Sequence, residues 1–458
     1  MMDAATVARV TGGRLEGPNV ELARVTTDTR TLVAGDLYVA LKGERFDGND
    51  FVAEALSRGA AAAVVAAGRT EGGAGTRIVV ADPQAALARL AAWWRRQCSI
   101  PVIVVVGSNG KTTVKEMLAS IMRTHFGAAA VLATRGNLNN AIGLPLTLLG
   151  LTAAHRVAVI ELGMNHPGET AELAAIAGPT VGVVNNAQRE HQEFMRSVAD
   201  VAEEHAALVR ALPRDGFAVL NAADPHLRIW LDAVRVNTPG IVLFALDRAA
   251  TVAGRHAADA EGGMLTLSVP TGDAEVRLAA PGRHNAANAL AAAAAAVAID
   301  VPLPAIVRGL AAFRPVAGRL VTRHAAGGAV VIDDTYNANP DSVRAAIDVL
   351  AARGAPKWLV LGDMGEVGQH GPAYHREIGD YARATGIERL LAAGAAAADA
   401  VAAFGEGGRH YASVEALAAD VAATAPANAT VLVKGSRFMR MERVVAALTG
   451  DAAPEGAH

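Results

Sequence analysis

The run Val102-Ile103-Val104-Val105-Val106 passes straight into Gly107-Ser108-Asn109-Gly110-Lys111-Thr112-Thr113, and this constrains the chain more than any other stretch. An unbroken β-branched run reads as a strand buried on both faces. The glycines end it. Beyond them Val114, Met117, Leu118, Ile121 and Met122 mark one apolar face at helical spacing. Strand, Gly-rich turn and helix in that order build a phosphate site. Small residues let backbone N–H groups point at the anion, the helix start adds its dipole, and Lys111 reaches the outer phosphates. The Thr112 hydroxyl is placed to ligate Mg²⁺. A full Walker A spacing also wants glycine at 105, where this chain has Val105, so the motif is the shorter G-x-x-G-K-T. Nucleotide binding is the expectation here, against the plainer alternative of an ordinary strand–turn–helix.

A chain of 458 residues is too long for one core, which predicts roughly two to four domains. A net charge of −3 gives no general affinity for nucleic acid or anionic membranes. No window offers the ~20 strongly apolar residues of a membrane span. The start Met1-Met2-Asp3-Ala4-Ala5 lacks the basic residues and apolar core of a secretion signal. Cys98 stands alone, so no internal disulfide is expected. A cytoplasmic monomer that neither binds nucleic acid nor inserts into membranes is the expectation.

The first unit, residues 1–98, is predicted to hold strands at Leu37–Leu41, Ala62–Ala66 and Arg77–Val80. Helices are expected at Asp50–Arg58 and Pro83–Gln97. Asp28-Thr29-Arg30 and Lys42 to Gly48 are polar clusters beside a strand end and glycines, and favour an anionic ligand slightly over a bland surface loop. Cys98 to Pro101 reads as a linker. The second unit, 99–314, alternates strands at 102–106, 157–161, 181–185 and 217–220 with helices at 112–125, 139–149, 169–177 and 198–212. That rhythm predicts a parallel α/β sheet with its ligand crevice at the strands' carboxyl ends. Residues 251–280 read as an antiparallel edge, followed by an Ala-rich helix. Past a linker at Phe313–Arg319, the third unit, 315–458, has strands at 329–333, 357–361, 389–392 and 430–434. Helices at 341–353, 373–385 and 414–424 separate them in Rossmann fashion. Ala452–His458 read as disordered.

Polar residues gather where strands end. Glu161 follows Val157–Ile160 and is placed to complete an Mg²⁺ shell begun by Thr112; a helix-capping role is the alternative. His191 follows Asn185-Asn186, and a lone histidine is more often a satisfied surface or core residue than a ligand. Asp333-Asp334-Thr335-Tyr336-Asn337-Ala338-Asn339 is too dense a polar cluster for packing to explain. Lys434, Ser436 and Arg437 set two cations and a hydroxyl at another strand end, suited to a carboxylate or phosphate. No G-x-S-x-G, H-E-x-x-H or cysteine pair is present, so hydrolase-triad and zinc chemistry have no support. ATP chemistry on an anionic substrate remains.

Taken together these stretches resemble the Mur ligase and folylpolyglutamate synthase family, whose phosphate loop likewise lacks the first Walker glycine. Glu161-Leu162-Gly163, Gly282 to Leu290, Gly318-Arg319 and the Asp334 cluster match in the family's order, over residues 20 to 445. Gly136-Asn137-Leu138-Asn139-Asn140, Asp334 to Ser342 and Gly362-Asp363-Met364-Gly365-Glu366 resemble the branch that adds D-alanyl-D-alanine. The resemblance implies three α/β domains: a small UDP-sugar-binding one, a central ATPase-like one and a C-terminal Rossmann-like one. It implies ATP and Mg²⁺, in two ions, as cofactors. UDP-N-acetylmuramoyl-tripeptide and D-alanyl-D-alanine would be joined through an acyl phosphate. Thr112, Glu161 and His191 would hold metal. Gly107, Ser108, Asn109, Gly110, Lys111, Thr112, Thr113, Asn285, Arg319, Asp334 and Tyr336 would meet the nucleotide. Asp28, Thr29, Arg30, Lys42, Phe46, Asp47, Asn137, Asn139, Asn337 and Asn339 would meet substrate, with Lys434, Ser436 and Arg437 facing the dipeptide's carboxylate. Lys111, Thr112, Glu161, His191 and Arg319 would carry the chemistry, Arg319 on domain closure.

The chain departs from the pattern once. The resemblance implies a lysine, carbamylated by CO₂, on the helix after the histidine. Val201-Ala202-Glu203-Glu204-His205-Ala206-Ala207-Leu208 contains none. His205 holds the lysine's place by register, and Glu203, Glu204 or His205 is expected to take over its support of the second metal. Rival readings are a ligase of the same scaffold adding the third amino acid or a glutamate, and a nucleotide-binding switch without turnover.

Overall fold

A computed structural model of the chain describes residues 2–69, 75–234, 240–259 and 261–451. Ala452–His458 lie outside the described residues. Besides a two-stranded antiparallel pair, Met2–Asp3 with Glu21–Leu22, three larger sheets follow one another along the chain. The first has five strands, ordered Arg14–Glu16, Thr76–Val80, Ala62–Ala66, Leu37–Val39 and Val25–Thr26, parallel except at the first pair. Asp82 caps the helix that closes this unit, Pro83–Arg96, by accepting from the backbone N–H of Gln84 and Ala85, and Pro83 fits its first turn.

The central sheet has nine strands. Val102–Val106 lies between Val157–Glu161 and Val181–Val184, all parallel. All five residues of Val102–Val106 are buried, as a central strand covered on both faces requires. Val252–Asp259, Gly262–Val269 and Gly272–Leu278 form the antiparallel edge expected from their alternation. One apolar cluster fills each face of the sheet. Against the phosphate-loop helix, Lys111–Phe126, pack the Ala-rich helix Arg283–Val297 and the helix Leu303–Ala312. The closest approach is at Gly309. A Cβ there would sit 2.4 Å from Ile121 Cα, and Gly309 O accepts from Ser120 Oγ at 2.7 Å.

The third sheet has six strands, ordered Val321–His324, Val330–Asp334, Thr430–Lys434, Lys357–Gly362, Arg389–Ala393 and Gly408–Tyr411, all parallel but the first. Helix Pro340–Ala351 starts on a reciprocal capping box of Asn339 and Ser342. No helix of the described residues is long and apolar enough to cross a membrane.

Several elements differ from the sequence expectation. Helix 139–149 begins only at Gly143, because the Asn140 side chain accepts the Ile142 and Gly143 N–H groups and holds 139–142 as a loop. Asp50–Arg58 divides into a 3₁₀ turn, Gly48–Phe51, and a helix, Val52–Ser57. Unassigned beforehand were the strand Gly240–Leu246 and the helices Leu227–Ala233, Leu303–Ala312, Ala397–Phe404 and Glu442–Thr449. The edge strands Val321–His324 and Gly408–Tyr411 were missed because they are short and half polar.

Candidate active site

The strand ends of the central and C-terminal sheets face one cavity of about 1370 Å³. Its floor is the phosphate loop. Gly110 has φ +82°, and a Cβ there would meet Asn288 Oδ1 at 2.4 Å and Asn185 Nδ2 at 2.8 Å, so only glycine serves. Those two asparagines belong to a buttress. Asn185 Nδ2 donates to Asn109 O (2.8 Å) and Asn288 Oδ1 (2.8 Å), and Asn288 Nδ2 donates to Asn285 Oδ1 (3.1 Å). Asn186 accepts from the Ser108 and Asn109 N–H groups. Asn185-Asn186, which strand-end position alone had singled out, thus brace the loop from beneath. Asn285, expected to meet the nucleotide, ends this buried chain while still lining the cavity.

Lys111 folds back onto its own loop. Its Nζ donates to Gly107 O (2.5 Å) and lies 3.3 Å from Glu190 Oε2. Thr112 Oγ1 accepts from Arg319 Nη2 at 2.9 Å, and the Arg319 guanidinium stacks 4.2 Å over the Tyr336 ring. Asp334 is tied to Lys434 at 2.6 Å, yet burial pushes its carboxyl up despite the neighbouring charges. His284, also on the wall, is brought down to about 4 by burial and by the charge of Lys434, so it is neutral at pH 7.

Glu161 is buried. Its Oε1 accepts from Asn139 Nδ2 at 2.8 Å, and its Oε2 has no hydrogen-bond partner. Its backbone N–H donates to Thr134 Oγ1 (2.9 Å), and Thr134 O in turn accepts from the buried Lys115 ammonium (2.9 Å). Asn139, which also lines the cavity, therefore orients Glu161. His191, at φ +49°, sets Nδ1 2.7 Å from Glu366 Oε2 of the C-terminal unit. Among the described residues no three His, Cys, Asp or Glu side chains are gathered closely enough to hold a metal by themselves. The orphaned Glu161 oxygen, the Thr112 hydroxyl and His191 nonetheless fit Mg²⁺, which favours oxygen ligands and is usually shared with phosphate.

The remaining expectations divide. Asn137, Asn337 and Asn339 line the cavity. Asn339 is already engaged, since it caps a helix and exchanges hydrogen bonds with Asn109 across the cavity (2.9 and 3.2 Å). Ser436 and Arg437 do not line it. Ser436 Oγ donates to Ala338 O and accepts from Gly365 N, and Arg437 pairs with Glu442. Those bonds shape loops around the site. Asp28, Thr29, Arg30, Lys42, Phe46 and Asp47 also lie off the cavity, where Gln84 alone represents the first unit. Asp28 pairs with Arg30, Asp47 with Arg69, and Phe46 is 73% exposed. Both acids lie near Tyr38, whose phenol is pushed up to about 12 by burial and by the charges of Asp28, Glu54 and Asp47.

On the helix after the histidine, two of three expected substitutes are spoken for. Glu203 pairs with Arg210 at the surface. Glu204 accepts the Gly168 and Thr170 N–H groups at 2.9 and 2.8 Å and caps a neighbouring helix. Only His205 reaches a residue of the site: buried behind the cavity wall, its Nε2 lies 3.4 Å from Glu190 Oε1. Sequence reasoning missed Glu190, Arg189 and Lys115. Arg189 forms paired hydrogen bonds with both Asp341 and Glu377 of the C-terminal unit.

Three family models match the chain: the Mur ligase family catalytic domain over residues 21–95, the Mur ligase middle domain over 105–296, and the Mur ligase glutamate ligase domain over 318–437. The UDP-N-acetylmuramoyl-tripeptide–D-alanyl-D-alanine ligase of Escherichia coli K12 is 40% identical over 98% of this chain and 99% of its own length. A crystal structure of MurF from Acinetobacter baumannii superposes with a TM-score of 0.91 at 32% identity, covering 98% of this chain and all of that one. MurF from Thermotoga maritima, solved with ADP, gives 0.81 at 26% identity over 93% and 97%. A match over all three units, in order and at full length, leaves one conclusion: the chain belongs to the Mur ligase family.

Proposed function

We propose that this chain joins D-alanyl-D-alanine to UDP-N-acetylmuramoyl-tripeptide at the expense of ATP, a step of peptidoglycan precursor synthesis in the cytoplasm. The observation that carries the reading is the cavity itself. Lys111 and Thr112 at the start of the phosphate-loop helix, Arg319 at the end of the second linker, and Asp334 and Tyr336 beyond it line the same space. One chain supplies all of its walls, which fits action as a monomer. The divisions at 98/99 and 314/315 are taken as the domain boundaries.

In the first half of the reaction, an oxygen of the tripeptide's terminal carboxylate attacks the γ-phosphorus of ATP. The bond from that phosphorus to the bridging oxygen breaks, and ADP leaves with the electron pair. Lys111 and the loop N–H groups hold the phosphates, and Arg319 adds charge to the transferring group only while the third unit is docked. Thr112, Glu161 and His191 would hold Mg²⁺, which when bound spreads the charge on the phosphates. In the second half, the dipeptide's amine attacks the acyl phosphate, loses a proton and displaces inorganic phosphate. Asn137 and Asn337, which line the cavity, contact substrate, Lys434 supplies positive charge for the dipeptide's carboxylate, and the Asp28 and Lys42–Asp47 clusters of the first unit take the UDP end.

Labelling the tripeptide's terminal carboxylate with ¹⁸O tests this sequence. The phosphate released during turnover is expected to carry one ¹⁸O atom; unlabelled phosphate would show that the carboxylate never bonds to phosphorus.

A further inference from the structure

The helix Val198–Arg210 has no lysine to offer the site, and the structure supplies a carboxylate from elsewhere. Glu190, next to His191, turns its side chain inward and is 5% exposed. Its Oε2 lies 3.3 Å from Lys111 Nζ and 3.7 Å from His191 Nε2; its Oε1 lies 3.4 Å from Nε2 of the buried His205. Beyond that 3.4 Å contact neither Glu190 Oε1 nor the His205 ring has a hydrogen-bond partner. Buried polar atoms are nearly always well paired, so a carboxylate oxygen and an imidazole left with one long contact mark a site that something else completes.

Lys111 decides what that is. Its ammonium rests on Glu190 and the loop carbonyls. A P-loop lysine extends to the outer phosphates when nucleotide binds. That movement removes the nearest cation from a buried carboxylate, which is unfavourable unless another takes its place. We propose that Glu190, steadied by His205, supplies the carboxylate that holds a divalent cation beside His191 once nucleotide is bound. This makes Glu190 the native counterpart of the modified lysine, by a route that needs no CO₂. The inference rests on the ATP-binding part of the proposed function and not on the identity of the amino acid joined.

The test is Mn²⁺ binding to the full chain with a non-hydrolysable ATP analogue, read by the electron paramagnetic resonance of free Mn²⁺. Wild type is expected to bind two ions per chain, unchanged when CO₂ and bicarbonate are stripped. Glu190→Gln should keep the analogue within about threefold of wild-type affinity and weaken the second ion at least tenfold, as loss of a supporting metal-site contact does. Glu190→Asp, which keeps the charge, should fall between them. The proposal is overturned if Glu190→Gln binds both ions as wild type does, including the case where freeing Lys111 merely tightens nucleotide. It is equally overturned if CO₂ removal abolishes the second ion in wild type, a result that needs no variant to fold. Wild type that binds no nucleotide at all would instead refute the proposed function.

Discussion

Where the first unit meets the second, the contacts are apolar packing and main-chain carbonyls. The N-terminal core runs on into Ile142, Leu146 and Leu149, and Ala91 belongs to the central core. Trp94 Nε1 donates to Leu151 O at 3.0 Å. The buried Arg95 donates to Ala177 O, Gly178 O and Cys98 O at 3.2, 3.0 and 2.6 Å. Where the second unit meets the third, charges and amides replace carbon. Arg189 grips Asp341 and Glu377, Asn109 pairs with Asn339, Arg319 with Thr112, and His191 with Glu366. Among the described residues no apolar cluster spans that second seam. A packed seam gives up its contacts only at a large cost, whereas partly exposed ion pairs exchange with water at a smaller one. The first unit is thus fixed to the floor of the site. The third is held in a way that lets it leave and return, taking Arg319, Asp334 and Tyr336 with it.

This contrast is open to direct attack. Arg189→Ala removes the centre of the charged seam without touching a cavity-floor residue. It should lower kcat/KM roughly 10- to 100-fold, as loss of about 1.5–3 kcal/mol of charge-assisted hydrogen bonding implies. Small-angle scattering should show a larger radius of gyration; unchanged scattering would mean that the seam does not depend on Arg189. The same seam has a pH signature. The Arg189 hydrogen bond holds the Glu377 carboxyl below its ordinary range against burial. A depressed carboxyl contributes fully above that range and is lost as pH falls through the folded value, so docking should fail in acid and not near neutrality.

Arg95→Ala should leave kcat within about twofold and act on stability instead. It strands buried carbonyls at the packed seam, at a cost of about 3 kcal/mol. The first thermal transition should fall measurably by calorimetry. A variant with wild-type melting but poor turnover would reverse the roles assigned to the two seams.

Much of this was legible beforehand because it is local. An apolar strand followed by glycines and Lys-Thr-Thr carries its own instructions, and the strand-end positions of Glu161 and Asp334 follow from a doubly wound sheet. What escaped depends on partners distant in sequence. Glu190 reads as an ordinary surface acid until Lys111 and His205 are seen around it. Arg189 lies 152 residues from Asp341, and nothing in its neighbourhood announces the pairing. Asn139, Asn339 and Ser436 were expected to meet substrate. Their side chains orient other groups, a distinction that composition and spacing do not encode. Glu203 and Glu204 show the same limit: helical register alone does not say which acid turns inward.

The central claim, that this cavity joins D-alanyl-D-alanine to a carboxylate activated by ATP, is most directly tested by phosphate release with a panel of acceptors. Purified chain, ATP, Mg²⁺ and UDP-N-acetylmuramoyl-tripeptide would be offered D-alanyl-D-alanine, and glutamate in its place. In a parallel arm, UDP-N-acetylmuramoyl-dipeptide would be offered a diamino acid. Release with D-alanyl-D-alanine at least 100-fold above the other two is the predicted result. Release driven by the diamino acid or glutamate, or no acceptor-dependent release at all, would contradict it.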